Sequence, residues 1–285
     1  IQNGMWSDQG NNYDNFVAWV REYDPDVCVW CEAQSNYKTG SAEKMDPADR
    51  YLTDNWGELA ARYGHKYWYK GGHRDNFPQV ITSKYPIENV ERIVGSQPDS
   101  VVSHGCGWAR IEKNGRTVHI VTLHTWPQAY AFGAEDREAS RAEHGGDKYR
   151  RMEIEYICRH TIGSVPGAED QLWMMMGDFN ARSRVDNAVY GYPEDDTRLL
   201  VHDYILQNTP YADVIGERYP GEFKTTIHGQ ARIDFVYCTR PLCDRITHAE
   251  VITDAFTDPV RDPDGLANFW HPSDHRPILV DFNME

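Results

Sequence analysis

The chain has 285 residues, 40% of them hydrophobic and 26% charged, with a formal net charge of -15. This is a globular composition with material for a large core, in one large domain or two small ones. It excludes a membrane span, since no apolar run approaches the needed length. The acidic balance also weighs against nonspecific binding of a phosphate backbone, unless cations or a basic patch intervene.

In chain order, residues 1–4 read as the end of a strand that began earlier. Residues 11–23 read as a helix, with Phe16, Val17, Trp19 and Val20 in one apolar stripe and Asp24-Pro25 as the stop. A strand-like run over 26–31 follows, with Glu32 at its exit. Residues 46–63 form a second helix pattern, Pro47 near its start and Gly64 past its end. Strands are expected at 65–69, 79–83 and 87–94, the first two separated by the polar loop 71–78. Asn114-Gly115 between 107–111 and 117–122 is a strong hairpin signal, and the second arm runs on to His124. A long polar loop, 126–146, leads to a helix over 148–160. Residues 172–176 are all apolar; Gly177 ends the run, and Asp178, Phe179 and Asn180 follow. This stretch reads as a buried strand, although a buried helix has the same pattern. A helix at 197–207, strands at 232–238 and 245–253, a polar and aromatic loop at 257–271 and a closing strand within 273–282 complete the chain. Helices and strands interleave, yet hairpins are present too. The combination predicts an α/β (α+β) chain with mixed sheets and helices outside them, as a single domain over 1–285.

Several strands end in residues suited to metal-assisted hydrolysis: Glu32, His124, Asp178 with Asn180, and Asp274-His275. Asp234 joins them from within a strand. Two positions apart in an extended backbone, Asp178 and Asn180 point to one side. Taken singly, each residue has a plain structural explanation. A histidine or acid after a strand is usually solvated, and Gly, Asp and Asn form turns. Asp234 is the hardest to explain so, because an acid inside an apolar strand needs a partner, and His275 is a natural one. Acids and histidines at the same relative position on separate strands would meet at one rim.

These residues carry a resemblance. Glu32 after an apolar strand, Leu-His-Thr at 123–125, Gly-Asp-Phe-Asn at 177–180, Ile-Asp-Phe-Val-Tyr at 233–237 and Ser-Asp-His-Arg-Pro at 273–277 span almost the whole chain. In order and spacing they resemble the endonuclease/exonuclease/phosphatase superfamily of phosphohydrolases, which includes deoxyribonucleases, apurinic endonucleases, bacterial sphingomyelinases and inositol polyphosphate phosphatases. The resemblance implies a four-layer sandwich: two packed mixed sheets flanked by helices, with the site at one edge. It implies that Glu32 holds a hard divalent cation, Mg²⁺ or else Mn²⁺, with Asp274 completing the acidic rim. Asp178 would orient or deprotonate the attacking water, and Asn180 would bond a phosphate oxygen. His275 would sit on the scissile phosphate, with Asp234 fixing its tautomer. His124 matches the second histidine of the deoxyribonuclease and sphingomyelinase branches, a general acid for the leaving oxygen. The family's first strand carries an Asn metal ligand just before a segment like residues 1–4. Either that ligand precedes Ile1 or Asn3 takes its place.

Substrate choice should lie in the loops around the rim. Arg74, Arg182 and Arg184 are candidates for a second phosphate contact, and Trp126 and Trp270 for stacking on a base or sugar. The acidic charge disfavours a nuclease and favours a small phosphoester as partner, acted on by a monomer. A noncatalytic binding module on the same fold would have no need of the whole polar set, and a zinc hydrolase using His124 and His275 is a third reading. Six cysteines are too sparse for a disulfide scaffold. Cys28 and Cys31 have CxxC spacing, but a strand sets them on opposite faces. Cys238 and Cys243 could close a small loop or stay as free thiols. Ile1 rather than Met opens the chain, which fits a processed secreted or periplasmic protein and also a cloned fragment. Secretion or export is therefore expected over a cytoplasmic location.

Overall fold

The computed structural model describes residues 1, 3–5, 12–34, 54–73, 76–94, 101–227, 229, 231–254, 256 and 273–285. Its strands are β1 (Val27–Trp30), β2 (Tyr67–Lys70), β3 (Val80–Ser83), β4 (Ile87–Ile93), β5 (Cys106–Lys113), β6 (Arg116–His124), β7 (Leu172–Asp178), β8 (Tyr211–Asp213), β9 (Asp234–Thr239), β10 (Ile246–Val251) and β11 (Ile278–Phe282). The main helices are α1 (Asn12–Tyr23), α2 (Trp56–Arg62), α3 (Arg137–Ala142), α4 (Gly145–His160) and α5 (Leu200–Asn208).

The large sheet has the order β4-β5-β6-β7-β9-β8 and is mixed, with β6 and β7 its one parallel pair. The facing layer comes in two pieces, β1-β3-β2 and β10-β11, whose pairings are all antiparallel. Helices cover both outer faces. Ile154, Ile157 and Cys158 of α4 and Val201 and Ile205 of α5 pack on Trp173, Met175, Phe235 and Tyr237 of the large sheet. On the far side Phe16, Val17 and Val20 of α1 and Leu59 and Ala60 of α2 pack on Cys28, Trp30 and Val80. This is the expected four-layer sandwich. The apolar run at 172–176 is a strand, and it spans two cores by simple alternation: Trp173 and Met175 face the helices, Met174 the other sheet. Between the sheet layers lies a cavity of about 580 Å³, lined by Val27, Val29, Met176, Ile278, Val280 and, as polar members, Asp234 and His275.

Most predicted elements recur within a few residues, and the exceptions have local causes. The strand end expected at residues 1–4 is not found at the described residues there. Asn3–Met5 is a 3-10 turn, with Gly4 at φ 70° and Met5 at φ 58°, a left-handed conformation that an extended ladder cannot hold. The loop 126–146 contains α3, capped by Asp136, whose Oδ1 accepts from the N–H groups of Glu138 and Ala139. β8, at three residues, is too short for any periodic signal. The predicted residues 46–53 and 257–271 lie outside the described residues. All six cysteines are free, Cys238 and Cys243 included.

Candidate active site

Strand register lays out the site. β6 and β7 run parallel with His124 opposite Asp178, and β7 and β9 run antiparallel with Asp178 opposite Asp234. Directly opposed residues on neighbouring strands share a face, so one histidine and two acids stand in a row across the rim. His275 arrives from the segment before β11. A bridge to Ile227 and the Arg276 N–H, donating to the Thr226 carbonyl at 2.7 Å, anchor it. The Ser273 hydroxyl accepts the His275 N–H at 2.9 Å. His275 Nδ1 then lies 3.0 and 2.9 Å from the two carboxylate oxygens of Asp234.

Asp178 is 5% exposed. Burial pushes its carboxyl up, to about 6, and the Asp234 charge adds to this against the pull of His275, His124 and the Asn180 N–H. His275 moves the other way. Burial disfavours its cation, but Asp234, Asp178 and Asp274 outweigh that and carry the ring up to about 10. The two environments push in opposite directions: burial favours the neutral acid at Asp178, and the surrounding carboxylates favour the cation at His275.

Asn180 stands with Asp178 as expected, but for another reason. The chain turns into the left-handed region at Asn180, φ 46°, and closes back on the carboxylate. Asp178 Oδ1 accepts the Asn180 N–H at 2.8 Å, while Asn180 Nδ2 donates to Asp178 Oδ2 at 3.2 Å and to the Thr125 carbonyl at 3.0 Å. Its amide group thus orients Asp178. His124, 2% exposed, has Nε2 at 3.6 Å from Asp178 Oδ2 and Nδ1 at 3.4 Å from the Phe77 carbonyl.

Among the described residues, Asp178, Asp234 and His275 are the group whose ligating atoms lie within 4.8 Å of one another. Glu32 and Asp274 stand outside it. Glu32 leaves β1 at φ 56°, its carbonyl taking the Gly4 N–H at 2.8 Å. The preceding Cys31 thiol lies 3.4 Å from the Leu123 carbonyl, so β1 ends at the rim where β6 and β7 end. Asp274 Oδ1 lies 3.9 Å from His275 Nε2, and its side chain is 46% exposed. Within the central group His275 and Asp234 are engaged with each other. The carboxylates expected to hold a metal, Glu32 and Asp274, are hard oxygen donors, which suit Mg²⁺ or Mn²⁺ better than a soft metal. The Asn3 side chain, Arg74 and Trp270 lie outside the described residues.

Arg182 is half-buried, over the Tyr190 ring at 5.9 Å and without a carboxylate partner among the described residues. Arg184 is not available to a phosphate. Its guanidinium is held by Asp203 at 3.0 and 2.7 Å and by the Glu194 carbonyl at 2.7 Å. Trp126 lies beside the site, its indole N–H donating to the Tyr130 carbonyl at 2.6 Å and its ring against Phe132 and His104. Two nearby residues were missed. His104 sits in a loop with no motif. Glu153 carried a signal: on α4 it lies among buried Tyr149, Ile154 and Ile157, and an acid on an apolar face needs a partner, the argument that singled out Asp234.

Residues 5–275 match the model of the Endonuclease/Exonuclease/phosphatase family, and the chain belongs to that family. No curated protein matches it in sequence. Among solved structures it is similar to an AP endonuclease from Archaeoglobus fulgidus, at 18% identity and a TM-score of 0.62, over 98% of this chain and 97% of that one. It is also similar to a mannosyl-6-phosphatase from Bacteroides thetaiotaomicron, at 13% identity and a TM-score of 0.59, over 96% and 91%. A third is the beta toxin of Staphylococcus aureus, at 18% identity and a TM-score of 0.57, over 99% and 98%. At these identities the likeness is one of fold.

Proposed function

We propose that this protein is a divalent-metal-dependent phosphohydrolase that cleaves a small phosphoester by attack of water on phosphorus. The observation that carries the proposal is the row of His124, Asp178 and Asp234 across the rim, with His275 Nδ1 held 2.9 and 3.0 Å from the Asp234 carboxylate. Asp178 accepts a proton from the attacking water. His275, as imidazolium, faces the negative charge that grows on the phosphoryl oxygens. Asp234 holds its ring by Nδ1 and leaves Nε2 to the substrate. His124 supplies a proton to the leaving oxygen as the P–O bond breaks. Asn180 orients Asp178; with both hydrogens of its amide taken by the Asp178 carboxylate and the Thr125 carbonyl, the phosphate-binding role expected of it is not carried over. Glu32 and Asp274, with Asn3 as a further donor, would hold Mg²⁺ or Mn²⁺. When bound, that ion polarises a phosphoryl oxygen and neutralises charge.

The fold does not choose the substrate. A net charge of -15 favours a small ester over a nucleic acid, with Arg182, Arg74 and Trp270 as the substrate-side contacts. Hydrolysis of bis-p-nitrophenyl phosphate and p-nitrophenyl phosphate with Mg²⁺ or Mn²⁺ tests the reading. Chelation is expected to abolish activity, and His275→Ala to lower kcat by roughly a hundredfold or more. Activity indifferent to either change would refute the mechanism.

A further inference from the structure

Behind the row of site residues, one carboxylate ties together the two segments that carry adjacent histidines. Glu153 of α4 has 0% of its surface exposed. Its Oε1 accepts the Ser103 N–H at 2.8 Å and the Ser103 hydroxyl at 2.6 Å, and its Oε2 accepts the Trp126 N–H at 2.8 Å. Ser103 immediately precedes His104, and Trp126 follows His124 by two residues. The two histidine rings stack, with centroids 4.4 Å apart and planes at 25°. His104 is 2% exposed, neither ring nitrogen has a hydrogen-bond partner among the described residues, and the ring meets His124 through its face. Arg150, one helical turn before Glu153, donates to the carbonyls of Trp126 at 2.8 Å and Gln128 at 3.1 Å. Helix α4 therefore grips the exit of β6 by its N–H and its C=O groups alike.

Burial pushes the Glu153 carboxyl up, to about 7, against the donors that hold it and the charge of Arg150. A buried acid is costly, and this one spends all its hydrogen bonds on two loops rather than on the helix that carries it. We propose that Glu153 is a positioning residue for His124: it sets the 103–104 and 124–126 segments at a fixed separation, and the His104 ring is the spacer that holds the His124 ring beside Asp178. The proposal rests on the phosphohydrolase reading only in taking His124 to act on the leaving oxygen.

Glu153→Gln keeps the shape but presents an N–H₂ group where an acceptor is needed. Ser103→Ala is milder and removes one of the three bonds. His104→Phe keeps a ring face, and His104→Ala removes it. Two readouts apply: kcat and KM on bis-p-nitrophenyl phosphate with Mg²⁺, and the imidazole NMR resonances of His124, which do not depend on turnover. Glu153→Gln should lower kcat about tenfold with KM within about twofold, because small misplacements of a catalytic group are costly. It should also shift the His124 resonances. Ser103→Ala should do both to a lesser degree. His104→Phe should retain kcat within about twofold where His104→Ala does not. Unchanged kcat together with unmoved His124 resonances, in Glu153→Gln or, should that variant not fold, in Ser103→Ala, overturns the proposal. If the wild type hydrolyses no phosphoester, the functional reading fails by itself. The His124 resonances of Ser103→Ala then still decide the positioning role.

Discussion

In the proposed mechanism, Asp234 is the residue on which the chemistry of this site turns. It lies in an otherwise apolar strand and accepts His275 Nδ1 at 2.9 and 3.0 Å. Removing its charge while keeping its shape, as in Asp234→Asn, takes away the main support of the imidazolium and invites the wrong tautomer. The expected result is a fall in kcat of roughly a thousandfold with KM little changed, measured by steady-state kinetics. A loss confined to KM would show that His275 only binds. The pair was legible in the sequence, since an acid in an apolar run must be matched by a partner. The second histidine was legible too, but not what holds it. His104 approaches His124 from a loop 20 residues earlier in the chain, and no local pattern encodes a ring stack.

Among the elements, β7 has the strictest local demand. Gly177 closes its apolar run at φ 147°, and a Cβ there would fall 1.9 Å from the Leu123 carbonyl of the parallel neighbour β6. The close approach of the two backbones is what seats His124 beside Asp178. Gly177→Ala is expected to destabilise the fold by about 3 kcal/mol or more and to reduce activity in the molecules that remain folded, read by urea denaturation and by assay of the folded fraction. Wild-type stability would mean that β6 can move aside. In the sequence this glycine reads as the end of an apolar run and the start of the Gly-Asp-Phe-Asn motif, with no sign of what it must avoid. Its clash partner lies on a strand 54 residues earlier, known only once the two strands are paired side by side.

Across the whole molecule, several buried ionisable groups make stability depend on pH. Burial lowers His202 to about 3, with the Arg232 charge adding to the effect, and lowers His119 to about 4, with Arg110 adding. Both must stay neutral in the fold, whereas in the unfolded chain they titrate near 6.5. Their contribution is therefore complete above the unfolded value. It is lost as pH falls from 6.5 towards 4, because there the unfolded state binds protons that the folded state refuses. Glu153 and Asp178, raised to about 7 and about 6, act in the opposite sense over the same window, so the test is a difference. The acid-side loss of stability in thermal or urea unfolding should be smaller in His202→Gln, although that variant is less stable, than in the wild type. An equal loss would place the acid sensitivity elsewhere. His202 sits under the large sheet with Nδ1 2.7 Å from the Tyr237 hydroxyl, beside Arg232, which is itself clamped between Asp186 and Asp213.

The sequence by itself determined most of the strands and helices in their order, though not α3 or β8, together with the family and the five polar segments. These are local or nearly local facts: a two-residue or helical period, a turn signal, an acid where apolar residues are the rule. It also determined that Asp178 and Asn180 stay together, although by a two-residue alternation that the left-handed turn at Asn180 replaced. Only the tertiary structure decided which strands are neighbours. The register of β6, β7 and β9 puts His124, Asp178 and Asp234 in one row, and the group of converging ligating atoms leaves out Glu32 and Asp274. Register is a property of paired backbones and of the side chains buried between layers, so it comes into being only when the strands meet.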